Sequence, residues 1–148
     1  MDVLYLFQRY RDDVYRLAVN YTNSTQEAED VCQTVFLKLL EHPDITPGKE
    51  RAWLMQVTAN TCRDLLRSAW WKKTVPLDTV VSAPQVQRDE TVFLLRKLPP
   101  KYRVVLYLHY YEQYTTQEIA KLLQIPTGTV STRLRRGREA LKSMLKEG

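Results

Sequence analysis

The sequence predicts an all-α protein: two small helical domains joined by a flexible linker. Three observations lead there. Apolar residues recur at three- and four-residue steps across most of residues 2–71 and again beyond residue 89. That period lapses over residues 72–88, KKTVPLDTVVSAPQVQR, which hold Pro76, Pro84 and only short β-branched runs. Charge divides at the same place: residues 1–71 carry 8 basic and 10 acidic side chains, residues 91–148 carry 11 and 4. The expected organisation is therefore residues 1–71, a linker over 72–88, and residues 89–148. The basic second module suits a polyanion, bound with salt-dependent affinity.

The totals narrow the class. An apolar fraction of 44% over 148 residues supports packed cores and argues against disorder. No apolar run approaches the roughly 18–20 residues of a membrane helix. Asp2, Arg9 and Arg11–Asp13 interrupt any signal-like opening. A soluble cytoplasmic protein without membrane insertion is expected. Cys32 and Cys62, the two cysteines, form no C-x-x-C and have no nearby His, so neither metal nor cofactor is expected. Cys32 falls on an apolar helix face, the ordinary place for a small buried hydrophobe; a redox switch is the other reading.

In chain order, Val3, Leu6, Phe7, Tyr10, Val14, Leu17 and Ala18 mark a first amphipathic helix over residues 2–21, which Thr22-Asn23-Ser24 ends. Ser24 and Glu27 have capping-box spacing for a second helix, Thr25–His42. There Ala28, Val31, Cys32, Val35, Phe36, Leu39 and Leu40 make a core stripe, opposite Asp30, Gln33 and Leu37. An apolar residue among polar ones hints at docking, although a single exposed leucine is common. His42–Gly48 is a Pro- and Gly-punctuated loop. A third helix, about Lys49–Trp71, should turn Leu54, Val57, Thr61, Leu65 and Ala69 to the core. Gln56, Asn60, Arg63 and Arg67 line its other face beside Trp70. Such a face suits single-stranded nucleic acid, but a solvated polar face is the commoner explanation.

After the linker, Asp89–Leu98 and Lys101–Glu112 read as two supporting helices, divided by Pro99-Pro100, with His109 packed among tyrosines. Thr115 and Glu118 then form a capping box for a short helix carrying Ile119, Leu122 and Leu123 on one face. Gln124-Ile125-Pro126 breaks it, and another helix starts near Thr127. Val130, Leu134 and Leu141 form its apolar stripe. Ser131, Thr132, Arg135 and Arg136 project oppositely, with Arg133 and Arg138 at the flanks. This is the helix-turn-helix plan, whose second helix enters the major groove; Arg grips guanine bidentately, and Ser and Thr hydroxyls reach bases or phosphates.

Four motifs, in order, resemble the sigma-70 family of bacterial RNA polymerase sigma factors, in its two-domain extracytoplasmic-function group. Ala28-Glu29-Asp30-Val31-Cys32-Gln33-Thr34-Val35-Phe36-Leu37 resembles the A-E-D-x-x-Q-x-x-F-L helix of region 2. Ala52-Trp53-Leu54 with Asn60-Thr61-Cys62-Arg63-Asp64 and Arg67 resembles its W-L…N-x-x-R-D-x-x-R helix. Leu98-Pro99-Pro100-Lys101-Tyr102-Arg103 resembles the opening of region 4. Glu118-Ile119-Ala120 with Gly128-Thr129-Val130-Ser131-Thr132-Arg133-Leu134 resembles its E-I-A…G-T-V-x-S-R-L core, with Thr132 where serine is usual.

The resemblance implies a three-helix region 2 domain and a region 4 helix-turn-helix domain, with three sets of contacts. Asp30, Gln33 and Leu37 would dock on the clamp helices of core RNA polymerase's largest subunit. Residues 42–48, with Asn60, Arg63 and Arg67, would hold the separated −10 element. Ser131, Thr132, Arg135 and Arg136 would read −35 bases while Thr129, Arg133 and Arg138 hold phosphates. The implied partners are core polymerase, promoter DNA and an anti-sigma factor. The alternative is a helix-turn-helix regulator that binds duplex operator DNA as a dimer, with residues 1–71 dimerising. An enzyme finds no carboxylate cluster, Cys/His set or phosphate loop to support it.

Overall fold

Short polar side chains cap three of the helices, at Asp2, Ser24 and Thr115. In a computed structural model, which describes residues 2–42, 44–72 and 94–147 (for residues 68–72 and 147 the backbone alone), α1 spans Val3–Thr22. Asp2 accepts the Tyr5 N–H at 3.2 Å and so satisfies one orphan donor of its first turn. Asn23, left-handed at φ 56°, closes it by donating to Val19 O. α2 spans Thr25–Glu41, and Ser24 caps it by accepting the Glu27 N–H at 3.2 Å. The Ser24 N–H turns instead to the Thr22 hydroxyl at 3.3 Å, so half of the expected capping box is present. α3 spans Glu50–Lys72, one residue into the expected linker. The rest of that linker, and residues 89–93 of the helix expected after it, lie outside the described residues.

The chain divides into two units, residues 1–82 and 83–148. In the first, Val14, Leu17, Val35, Leu39 and Leu54 are fully buried where α1, α2 and α3 meet. Phe7 packs edge-on against Phe36 with ring centroids 4.8 Å apart. Asp13 on α1 accepts from Arg16 and, at 3.0 Å, from Arg51 Nε, which fastens α1 to α3.

Two expectations for this unit are corrected. Leu40 leaves the core stripe and is 60% exposed; Leu39 carries the seam instead. At about 100° per residue, Leu40 falls beside Gln33 and Leu37 on the outer face. The inner face of α3 is also rotated from the expected one. Leu54 is buried, but Val57, Thr61 and Leu65 are half-buried, and the seam runs through Met55, Thr58, Ala59 and Cys62. The physical reason is packing distance: Ala59, Thr58 and Cys62 are small enough for α1 and α2 to approach closely. The buried Thr58 hydroxyl is satisfied by donating to Leu54 O at 2.6 Å.

In the second unit, α4 spans Pro100–Leu106, with Pro100 in its first turn where a missing N–H costs nothing. Residues 103–108 are all buried, so only the first turn of this helix, with Lys101, reaches the surface. The expected single helix to Glu112 instead widens into a π-helical segment, Tyr107–Tyr111, in which the Glu112 N–H reaches Tyr107 O at 3.2 Å. The wider turn stacks Tyr111 on Tyr107 at 5.3 Å. His109 packs as expected, half-buried, its Nδ1–H donating to Tyr114 O at 3.0 Å.

Candidate nucleic-acid and polymerase interfaces

The helix-turn-helix is built as its residues require. α5 spans Thr116–Leu123 under the full capping box: the Glu118 N–H donates to Thr115 Oγ1 (3.1 Å), and the Thr115 N–H to Glu118 Oε1 (2.9 Å). Ile119, Leu122 and Leu123 are buried. Gln124, left-handed at φ 58°, ends the helix, and Pro126 O accepts the first N–H groups of α6, Thr127–Glu147.

α6 buries Val130 and Leu134, with Leu141 half-buried. The stripe is continued by Gly137, where an added Cβ would stand 2.9 Å from Leu106 Cδ1 and 3.3 Å from Tyr102 Cβ. Glycine thus lets α6 press onto α4 and fixes how far the opposite face stands out. On that face Ser131, Arg135, Arg136 and Arg138 are exposed, while Thr129, Thr132 and Arg133 are half-buried at its edge. Two flanks are distinguishable. On one, Arg138 Nη1 donates to Tyr110 Oη at 3.1 Å. On the other, Thr129, Thr132, Arg133 and Arg136 meet Lys101 and Tyr102 of α4 around one open concavity. In mid-face Arg135 Nε lies 3.7 Å from Glu139 Oε1.

On this unit, Lys101 is a residue that sequence reasoning missed. Its signal was electrostatic: a lysine in the first turn of a helix faces the positive end of the macrodipole. The two cationic elements converge, so the concavity can hold an anion such as a backbone phosphate. Arg103, two residues on, serves the fold. It is buried, donates from Nη1 to Leu98 O at 2.7 Å, and burial lowers its guanidinium to about 10, still charged at neutral pH.

In the first unit the structure brings Asn60 and Arg63 together. Asn60 Oδ1 accepts from Gln56 Nε2 at 3.1 Å and from Arg63 Nη2 at 3.2 Å. Arg67 is exposed one turn further along the same face. The Trp70 side chain lies outside the described residues. The His42 ring sits 5.6 Å from that of Trp53, so the end of α2 meets the start of α3 at the loop. Gly48, at φ 87°, turns that loop and donates its N–H to Glu50 Oε1 at 2.8 Å. On α2, Asp30, Gln33 and Leu37 are exposed together; Leu40 joins them and doubles the apolar part of the face.

Cys32 and Cys62 are buried and free. Burial pushes both thiols up, Cys32 to about 12, so thiolate chemistry at neutral pH has no support. Among the described residues no group of His, Cys, Asp and Glu is arranged to hold a metal ion. No described helix is long and apolar enough to cross a membrane.

A basic helix-turn-helix unit and a three-helix unit, each with an outward polar face, define a DNA-binding type of protein. The sigma-70 region 2 family model matches residues 6–72, the sigma-70 region 4 model matches residues 88–141, and the chain belongs to the sigma-70 family in its extracytoplasmic-function group. It is 31% identical to the ECF RNA polymerase sigma factor SigW of Bacillus subtilis, over 93% of this chain and 86% of that protein. It is 30% identical to the ECF sigma factor SigL of Mycobacterium tuberculosis, over 96% and 88%. The sigma factor RpoE of Bartonella quintana, solved in complex with the anti-sigma factor NepR, shares the fold at TM-score 0.74 and 18% identity, covering 95% of this chain and 94% of that one.

Proposed function

We propose that this chain binds bacterial core RNA polymerase and directs it to promoters by dividing recognition between its units. Sigma factors of this family act in promoter-specific initiation with RNA polymerase, and polymerase does the synthesis. In this reading residues 1–71 dock and hold the separated −10 strand, and residues 89–148 read the −35 element. The observation that carries it is α6, where Ser131, Arg135 and Arg136 stand exposed opposite a buried stripe within a matched region 4. Ser131, Thr132, Arg135 and Arg136 contact −35 bases. Thr129, Arg133, Arg138 and, in addition, Lys101 hold phosphates.

Asn60, Arg63 and Arg67 lie along the unpaired −10 strand, where the amide–guanidinium arrangement supplies donors to phosphates and base edges. Asp30, Gln33, Leu37 and Leu40 form the surface for the polymerase clamp helices. An anti-sigma factor covering these faces is the proposed regulator, the kind of partner present in the related RpoE–NepR structure.

The test is transcription from promoter fragments by purified bacterial core polymerase with and without this chain. Initiation at specific starts only on its addition supports the reading. Tight duplex binding by the chain alone, without initiation, favours the dimeric regulator instead. Arg136→Ala should lower −35-dependent transcription by about 10- to 100-fold and spare polymerase affinity. Asp30→Arg should do the reverse, weakening core association while leaving −35 duplex binding intact. An Asp30→Arg variant with unaltered core affinity would refute the docking face.

A further inference from the structure

Among the described side chains of α6, Glu139 is the one acid on an exposed face of arginines, lysines and serines. That residue lies about 180° around the helix from Val130, in the middle of the face assigned to the major groove. It is well exposed, and its Oε1 stands 3.7 Å from Arg135 Nε. A carboxylate here weakens the attraction of the helix for a polyanion. As an ion pair between exposed side chains it contributes little to folding. Its effect falls on Arg135. A guanidinium whose Nε faces a carboxylate keeps its two terminal nitrogens free, and that edge matches O6 and N7 of guanine. The same contact restrains a long side chain that would otherwise reach the sugar–phosphate backbone and bind without regard to sequence. The neighbouring arginines are placed differently: Arg138 turns to Tyr110, and Arg136 borders the concavity.

We infer that Glu139 is a positioning residue that holds Arg135 in the geometry that reads guanine, converting a general DNA contact into a base-specific one. The inference rests on α6 being the −35 helix. Thereafter Glu139 trades affinity for specificity: it lowers binding to all DNA and raises the preference for one base pair.

The experiment uses holoenzyme reconstituted from core polymerase and the full chain, assayed on a promoter library with every −35 position randomised. Arg135→Ala should abolish the guanine preference at one position, a loss of about 10- to 100-fold. Glu139→Gln should lower the preference at that same position about two- to fivefold, and its binding to non-promoter DNA should rise with a salt slope steeper by about 1. Glu139→Asp keeps the charge but shortens the reach; it should lose the preference without the gain in general affinity. The Arg135→Ala/Glu139→Gln pair should match Arg135→Ala at that position. An unchanged preference in Glu139→Gln overturns the inference, as does a changed preference at another position whether or not Arg135 is present, which would make Glu139 itself the reader. If Arg135→Ala alters no position, the −35 assignment of Arg135 falls and the inference with it. If Arg135→Ala has its effect and Glu139→Gln does not, the inference alone falls.

Discussion

α3 and α6 make an instructive pair. Both are long helices with one face inward and one face of amide, hydroxyl or guanidinium groups outward. The faces of α6 were legible in the sequence, and the inner face of α3 was not. In α6 the buried line runs through Val130 and Leu134, so size and apolarity mark it. In α3 the buried line starts at Leu54 and Met55 but continues through the small Thr58, Ala59 and Cys62, while the larger Val57 and Leu65 stay half-buried. Where part of a seam is built from small residues, hydrophobic periodicity points to a face rotated from the buried one. Gly137 shows the same effect inside the legible helix, because a residue without a side chain sends no periodic signal.

The largest expected effect separates two leucines that periodicity treats alike. Leu54 is fully buried and Leu65 half-buried. Leu54→Ala should destabilise the first unit by about 2–5 kcal/mol, and Leu65→Ala by less than half of that. Denaturation followed by tryptophan emission reads this unit alone, since Trp53, Trp70 and Trp71 all belong to it. Equal costs would restore the face expected from the sequence.

Alkaline pH probes the same seam. Burial raises the Cys32 thiol to about 12 and raises Cys62 as well, against roughly 8.5 for a free thiol. A raised folded-state pKa gives stability that is complete below the unfolded value and lost as pH rises through the folded one. The first unit should therefore weaken progressively between about pH 9 and 12. A Cys32→Ala/Cys62→Ala variant, though less stable at neutral pH, should show a shallower decline. An unchanged slope would mean that the thiols are not held in the closed seam.

Overpacking extends the comparison across both units. Ala59→Leu and Gly137→Leu each insert bulk where neighbouring helices already touch, and each should cost about 1–3 kcal/mol. Gly128, with nothing within 4 Å of an added Cβ, is the control: Gly128→Ala should be neutral or stabilising. Circular dichroism melts of the three variants would decide it.

The candidate site divides in the same way. The α6 residues could be placed from the sequence because a capping box, a proline break and an apolar stripe fix the register of the helix and hence its outward side. Lys101 could not, because its relation to Thr129 and Arg133 arises only when α4 packs against α6. Leu40, next to Leu39, looks equally apolar, but the 100° step carries it away from the core stripe and beside Gln33 and Leu37. The family resemblance implies roles for Asp30, Gln33 and Leu37 and for the α6 residues; the packing is what adds Leu40 and Lys101 to those faces.

The smallest effect tests whether the number of cap bonds ranks two caps that share one sequence signature. Thr115 has the complete capping box and Ser24 only half of one, so the pattern ranks Thr115 as the stronger cap. Burial reverses that order. Thr115 is exposed, so in Thr115→Ala water replaces the lost hydroxyl at the Glu118 N–H, and the cost should be about 0.5–1 kcal/mol. Ser24 is buried, and its hydroxyl accepts the Glu27 N–H where solvent has little access. Ser24→Ala leaves that donor poorly satisfied, and the cost should approach 2 kcal/mol, about the upper end for a lost cap. Melting the two variants in parallel would show whether the number of cap bonds or their access to water sets the value. A larger loss at Thr115 would favour the bond count.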